Sequence, residues 1–235
     1  MSYAYTSTVA LPDTASCTGK IAQRLDACIG TVVELLCALL LVSEIVILFS
    51  GVVARYVLHV PLVWTDELAS MLFLWLSMLG SVVALRRSEH MRMTAFIDRV
   101  GPRTKALLEM FALTASLAFL LLIVLPAYDY AYEESFIVTP ALEINNAWRA
   151  AALPVGIVLM VLVSLLRLIG SRDGKSAGLS VLCTAVLALA FWLAQPWFNG
   201  LGDINLIIFF VVLVAANVFS GVPIAFSFAL ATFGY

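Results

Sequence analysis

The sequence predicts an all-α membrane protein of about six transmembrane helices. Three observations carry that expectation. The chain is 63% hydrophobic and 12% charged, with a mean hydropathy of +1.06, whereas soluble domains are about 45–50% apolar and roughly 25% charged. Six apolar runs approach or exceed the roughly 20 residues a helix needs to cross a bilayer. The charged residues cluster between those runs rather than inside them.

Residues 1–26 read as a polar tail, without the basic-then-apolar order of a cleavable signal. Run one, Ala27–Ala54, is over-long and should tilt or protrude. Runs two to four are Val63–Leu85, Ala106–Pro126 and Ala147–Leu168, and together the four form a unit over 27–169. Leu179–Pro196 and Ile204–Ser220 lie near the lower length limit. A polar hinge, Gly170–Gly178, precedes the fifth run.

Lys and Arg set the direction of threading. Arg86, Arg87, Arg92, Arg99, Arg103 and Lys105 put six of the thirteen basic residues into one loop, which is therefore cytoplasmic. The next loop carries Asp129, Glu133, Glu134 and Glu143 and faces outward. Lys20 and Arg24 before run one, and Arg167, Arg172 and Lys175 at the end of run four, agree with a cytoplasmic N-terminus. Met93, Phe96, Ile97 and Val100 recur at helical spacing, with Arg92, Asp98 and Arg99 beside them. That pattern predicts a short helix on the cytoplasmic interface. Tyr128, Tyr130, Tyr132 and Trp148 suit the outer aromatic belt.

Signals for catalysis are poor. His59 and His90 fall at opposite membrane faces, and Cys17, Cys28, Cys37 and Cys183 show no paired spacing. The chain holds no HExxH, phosphate loop or GxSxG, so no catalytic residue, metal site or cofactor is assigned. A net charge of −2 gives no footing for nucleic acid. Glu44 stands out midway along run one, where a charge costs about 2.5–3.5 kcal/mol on insertion scales. It reads as an intramembrane polar contact. The open alternatives are a polar group of a partner, a hydrogen-bonded acid within the bundle, or an ion pathway. Arg55 closes run one, and Pro61 forbids simple helix continuation. Trp64-Thr65-Asp66-Glu67 then opens run two, with Thr65 a candidate N-cap. Arg55 paired with Asp66 or Glu67 would brace the two helices.

The ordered set Arg55-Tyr56-Val57, Pro61, Trp64, Asp66-Glu67-Leu68, Trp75, Gly80, Arg86-Arg87 and His90 resembles the small, DctQ-like membrane subunit of tripartite ATP-independent periplasmic (TRAP) transporters. The resemblance covers roughly Gln23 to Leu168, and Glu44 lies outside its pattern. Residues 204–235 resemble the opening of the large transport subunit, whose first helix leads into Gly221–Phe226, broken at Gly221 and Pro223. The resemblance implies a small subunit fused to the start of a large one that is cut off soon after. Residues 170–203 then supply the extra crossing that lets the large part start outside.

The resemblance further implies a bacterial inner-membrane scaffold in a sodium-driven carrier of organic acids of the C4-dicarboxylate kind. Its partners would be the large subunit, an extracytoplasmic substrate-binding protein and the bilayer, with no cofactor in this chain beyond use of a sodium gradient. Glu133, Glu134 and Glu143 are then candidates for docking the binding protein. The rival readings are a stand-alone scaffold or assembly protein and a small ion carrier. A carrier would call for buried charge on several spans, and only Glu44 is obvious.

Overall fold

A computed structural model of the protein describes residues 17–87, 101–170, 178–186, 189, 204–220 and 222–234. The helices are α1 (Cys17–Tyr56), α2 (Val63–Arg87), α3 (Pro102–Glu133), α4 (Ala147–Ala150) and α5 (Ala152–Gly170), with a 3-10 turn at Glu134–Phe136. A further helical segment covers 178–186. Another runs through Ile204–Ile207, a π-helical stretch Ile208–Leu213 and Val214–Phe219, and the last is Ile224–Gly234.

Among the described residues, four stretches are long and apolar enough to cross a membrane: Arg24–Tyr56, Val63–Arg87, Leu107–Phe136 and Ala147–Ile169. Six crossings are thus not reproduced among the described residues. Most of the second half of Leu179–Pro196 lies outside them, as do Arg92, Arg99, Gly221 and the expected interfacial helix at 93–100. The later apolar helix, Ile208–Phe219, is shorter than a span.

Two helices outrun their apolar runs. α1 starts at Cys17, because Lys20-Ile21-Ala22-Gln23-Arg24-Leu25 are all compatible with helix and continue it beyond the apolar residues. α3 opens with Pro102 in its first turn after Gly101 and passes straight through Pro126, where the sequence suggested an end. Proline costs an intrahelical hydrogen bond, but membrane helices tolerate that loss when neighbours re-satisfy the backbone.

α1 and α2 lie antiparallel. Asp26, Gly30, Val33, Cys37, Leu40, Glu44, Ile47, Gly51 and Ala54 are each buried or half-buried, and most residues between them are exposed. Steps of four and three give a single seam along the helix. Two glycines let the chains close. A Cβ on Gly51 would stand 2.8 Å from Thr65 Oγ1, and one on Gly30 would fall inside the Arg86 guanidinium. Gly30 to Gly51 and Thr65 to Arg86 are both separations of 21 residues. At about 1.5 Å per residue the two contacts are about 32 Å apart, close to the ~30 Å hydrocarbon thickness.

Gly156 brings α5 onto α2 in the same way, since its Cβ would sit 2.8 Å from Met78 Cβ. Trp75 Nε1 donates to the Trp148 carbonyl at 2.9 Å, tying α2 to α4. Arg167 Nη1 donates to the Leu85 carbonyl at 2.9 Å, tying the end of α5 to the end of α2. The core unites Val33, Leu79, Val82, Leu85, Leu120 and Val163 with Val222 and Phe226.

These contacts predict unequal tolerance among the glycines. Gly51→Leu should cost about 1–3 kcal/mol by overpacking, read as a lower unfolding temperature in detergent. Gly80→Ala should be nearly silent, because nothing lies within 4 Å of its added Cβ.

Candidate functional site

Two polar clusters stand at opposite ends of the α1–α2 pair, and one lone acid lies between them. At the Arg86 end, four ionic side chains interlock. Arg86 Nε reaches Asp26 Oδ2 at 3.2 Å, Arg86 Nη1 reaches Glu34 Oε1 at 3.4 Å, and Arg87 Nη2 reaches the same oxygen at 3.2 Å. Asp26, Gly30 and Glu34 are four residues apart and share one face of α1. Gly30, with no side chain, lets the Arg86 guanidinium lie across the helix between the two carboxylates. Arg86 is 22% exposed, so this pairing is only partly screened by water.

At the other end Arg55 Nη2 stands 3.2 Å from Asp66 Oδ2, with side chains 54% and 67% exposed. Exposed pairs contribute about 0.2–1 kcal/mol, so this contact is weak beside the Arg86 cluster. Glu67 does not join it. Glu67 Oε2 instead accepts the backbone N–H groups of Ala141 and Leu142, each at 2.8 Å. Charge-assisted bonds of this kind are worth about 1.5–3 kcal/mol each. Thr65 is not the N-cap. It lies inside α2, donates its hydroxyl to the Leu62 carbonyl at 2.7 Å and is buried against Gly51.

The segment that Glu67 holds is a small folded loop. Val138 and Asn145 form an antiparallel bridge, and Thr139 N–H donates to the Ile144 carbonyl at 2.9 Å. Asn146 Nδ2 donates to Glu134 Oε2, and Asn145 Nδ2 to the Ser135 carbonyl. Glu134 is thereby used within the loop, while Glu133 and Glu143 are exposed. Glu143 adopts φ +54°, the left-handed region that a non-glycine residue enters at a cost. An open cleft lined by Pro61, Leu62, Val63, Trp64, Pro140 and Ala141 lies where the loop meets the start of α2.

Glu44 is half-buried on the α1 seam, ten residues from Glu34 and eleven from Arg55. At about 1.5 Å per residue it lies about 15 Å from either charged end, at mid-depth. Arg103 and Lys105 lie in the first two turns of α3. Pro223 is fully buried just before the last helix. Among the described residues no set of His, Cys, Asp or Glu gathers in a way that could hold a metal ion. The pairing of Asp26 and Glu34 with Arg86 and Arg87 is only faintly marked in the sequence. Its one signal is the Asp-x3-Gly-x3-Glu spacing on a helix whose partner ends in two arginines.

Glu67→Ala should speed amide exchange at Ala141 and Leu142 by about tenfold or more, whereas Asp66→Ala should leave those amides unchanged. Arg86→Ala should destabilise the α1–α2 pair by about 2 kcal/mol, through loss of two charge-assisted contacts. Arg55→Ala should cost well under about 1 kcal/mol. Hydrogen exchange by mass spectrometry and thermal unfolding check the three changes.

Residues 44–173 match the family described as tripartite ATP-independent periplasmic transporters, DctQ component. The chain is 28% identical over 139 residues to the sialic acid TRAP transporter small permease protein SiaQ of Vibrio cholerae, covering 59% of this chain and 80% of that protein. It is 28% identical over 200 residues to the sialic acid TRAP transporter permease protein SiaT of Haemophilus influenzae, covering 80% of this chain but 32% of that protein. The C4-dicarboxylate TRAP transporter small permease protein DctQ of Vibrio cholerae is 23% identical over 108 residues, 46% of this chain and 47% of that protein. The SiaT match is longer than the 130 residues matched to the family, and the chain spans about a third of SiaT's length. With the family match spanning more than half its length, and four helices among the described residues long and apolar enough to cross a membrane, this chain belongs to the DctQ component family of TRAP transporters.

Proposed function

We propose that the chain is the scaffold portion of a sodium-driven TRAP transporter for an organic acid, joined at its C-terminal end to the opening of the large transport part. The observation that carries this reading is the 200-residue match to SiaT, longer than the 130 residues matched to the small-permease family. The named relatives concern sialic acid and C4-dicarboxylates, both carboxylates, which supports an anionic organic substrate. In this reading the protein sits in a bacterial inner membrane with its N-terminus in the cytoplasm. The Arg86 cluster then lies at the inner surface and the Glu67-held loop at the outer one, as the positive-inside rule requires.

The scaffold role follows from where the polar groups go. Those at the two ends of α1 and α2 are spent on holding helices and the loop together. Glu44 serves as the intramembrane polar contact of the α1 seam. The outer loop, with Glu133 and Glu143 exposed, is the surface offered to an extracytoplasmic binding protein. Glu134 contributes to it by holding the loop's shape through Asn146.

Uptake of radiolabelled sialic acid and C4-dicarboxylate into proteoliposomes tests this, using the complete permease, its binding protein and an inward sodium gradient. Uptake of at least one acid should need both the binding protein and sodium. Uptake indifferent to either would overturn the reading. Neutralising Glu133 and Glu143 together should lower uptake severalfold at limiting binding protein and much less at saturating binding protein.

A further inference from the structure

Six consecutive residues of α3, Ala112 to Leu117, are buried. A helix packed on one side buries a stripe and exposes positions every turn. Burial without a break needs neighbours on all sides. α5 covers one side of α3. Two further contacts come from beyond the four-helix unit. Thr114 Oγ1 lies 3.0 Å from Thr184 Oγ1 in the helix over 178–186. The Phe119 ring meets Phe226 edge-on, with centroids 6.0 Å apart. Thr114 and Phe119 are five residues apart, about 140° around the helix at 3.6 residues per turn. Two separate segments thus grip α3 from different sides. Val222 is 0% exposed and Phe226 7%, and both belong to the same core as Leu120 and Val163.

The geometry points to α3 as the joint between the small-permease unit and the transport part that follows. The partner it fits is an apolar helix that starts at a Val-Pro break and presents an aromatic side chain on its first turn, together with a linker helix bearing a hydroxyl at the level of Thr114. The joint is made by side chains in contact, in addition to the covalent continuity of the chain. This inference rests on reading 204–235 as the start of the transport part. In lipid, apolar contact alone gives helices no preference for each other over acyl chains, so close packing and interhelical hydrogen bonds decide the pairing. Thr114–Thr184 supplies such a bond, and Phe119–Phe226 supplies shape.

The test uses the full chain with Cys17, Cys28, Cys37 and Cys183 replaced by Ala and a protease site placed within 171–177. With Thr114→Cys and Thr184→Cys added, mild oxidation should lock the cut fragments into one band on a non-reducing denaturing gel. The exposed pair Leu122→Cys and Leu182→Cys should leave two bands. Without any cysteine pair, the cut fragments should co-purify in mild detergent through a tag on the first. Thr114→Val should lower co-retention about threefold, and Phe119→Ala with Phe226→Ala about tenfold. Fragments that separate in both detergent and nanodiscs, or a Thr114–Thr184 position pair that fails to lock, overturn the joint. Neither readout uses substrate, so failure here is distinct from failure of the transport reading.

Discussion

The spacing of two glycine contacts along the α1–α2 pair fixes the rest of the structure. Gly30 under Arg86 and Gly51 under Thr65 clamp the two helices in one antiparallel register. The clamps are about one hydrocarbon thickness apart. A register shift by one residue would move both clamps off their glycines. The 57–62 turn, the start of α2 and the residues that receive α4 and α5 therefore all inherit their positions from this pair.

Magnitudes rank the polar contacts. The Arg55–Asp66 pair is exposed and worth little, so it trims the angle of the turn rather than setting it. The Arg86 cluster is partly shielded and shares Glu34 between two guanidinium groups. Glu67 gathers two amides on one oxygen and makes the 134–146 loop an extension of α2. Stability is thus concentrated at the Arg86 end for helix pairing, and at the Glu67 end for loop position. The length between is left to side-chain packing.

Four of the six expected spans, with their charged ends, are legible in the sequence, because bilayer thickness and hydropathy act on whole segments. The inner face of α1 is not. In a helix apolar all round, hydrophobic periodicity carries no signal, and Gly30, Cys37, Gly51 and Ala54 mark the seam only by being small. The partner of Arg55 was narrowed to two acids. The choice depended on Glu67 pointing toward amides 74 and 75 residues away, which no local pattern encodes. α1 and α3 both outrun their apolar runs, for different reasons. Polar helix formers extended the first beyond its apolar run, and Pro126 failed to stop the second. Glu134 looked like a surface acid because its Asn146 partner is visible only once the loop closes.

Pro126 has a mechanical consequence. Lacking an N–H, it cannot bond the Leu122 carbonyl one turn earlier, so α3 bends most easily there. The chain beyond that point leads into the loop that Glu67 pins to α2. A torque applied to the loop from outside is therefore carried down α2 toward the Arg86 cluster. One missing hydrogen bond thus gives the outer end of α3 a hinge, while the two made by Glu67 give its loop an anchor on α2.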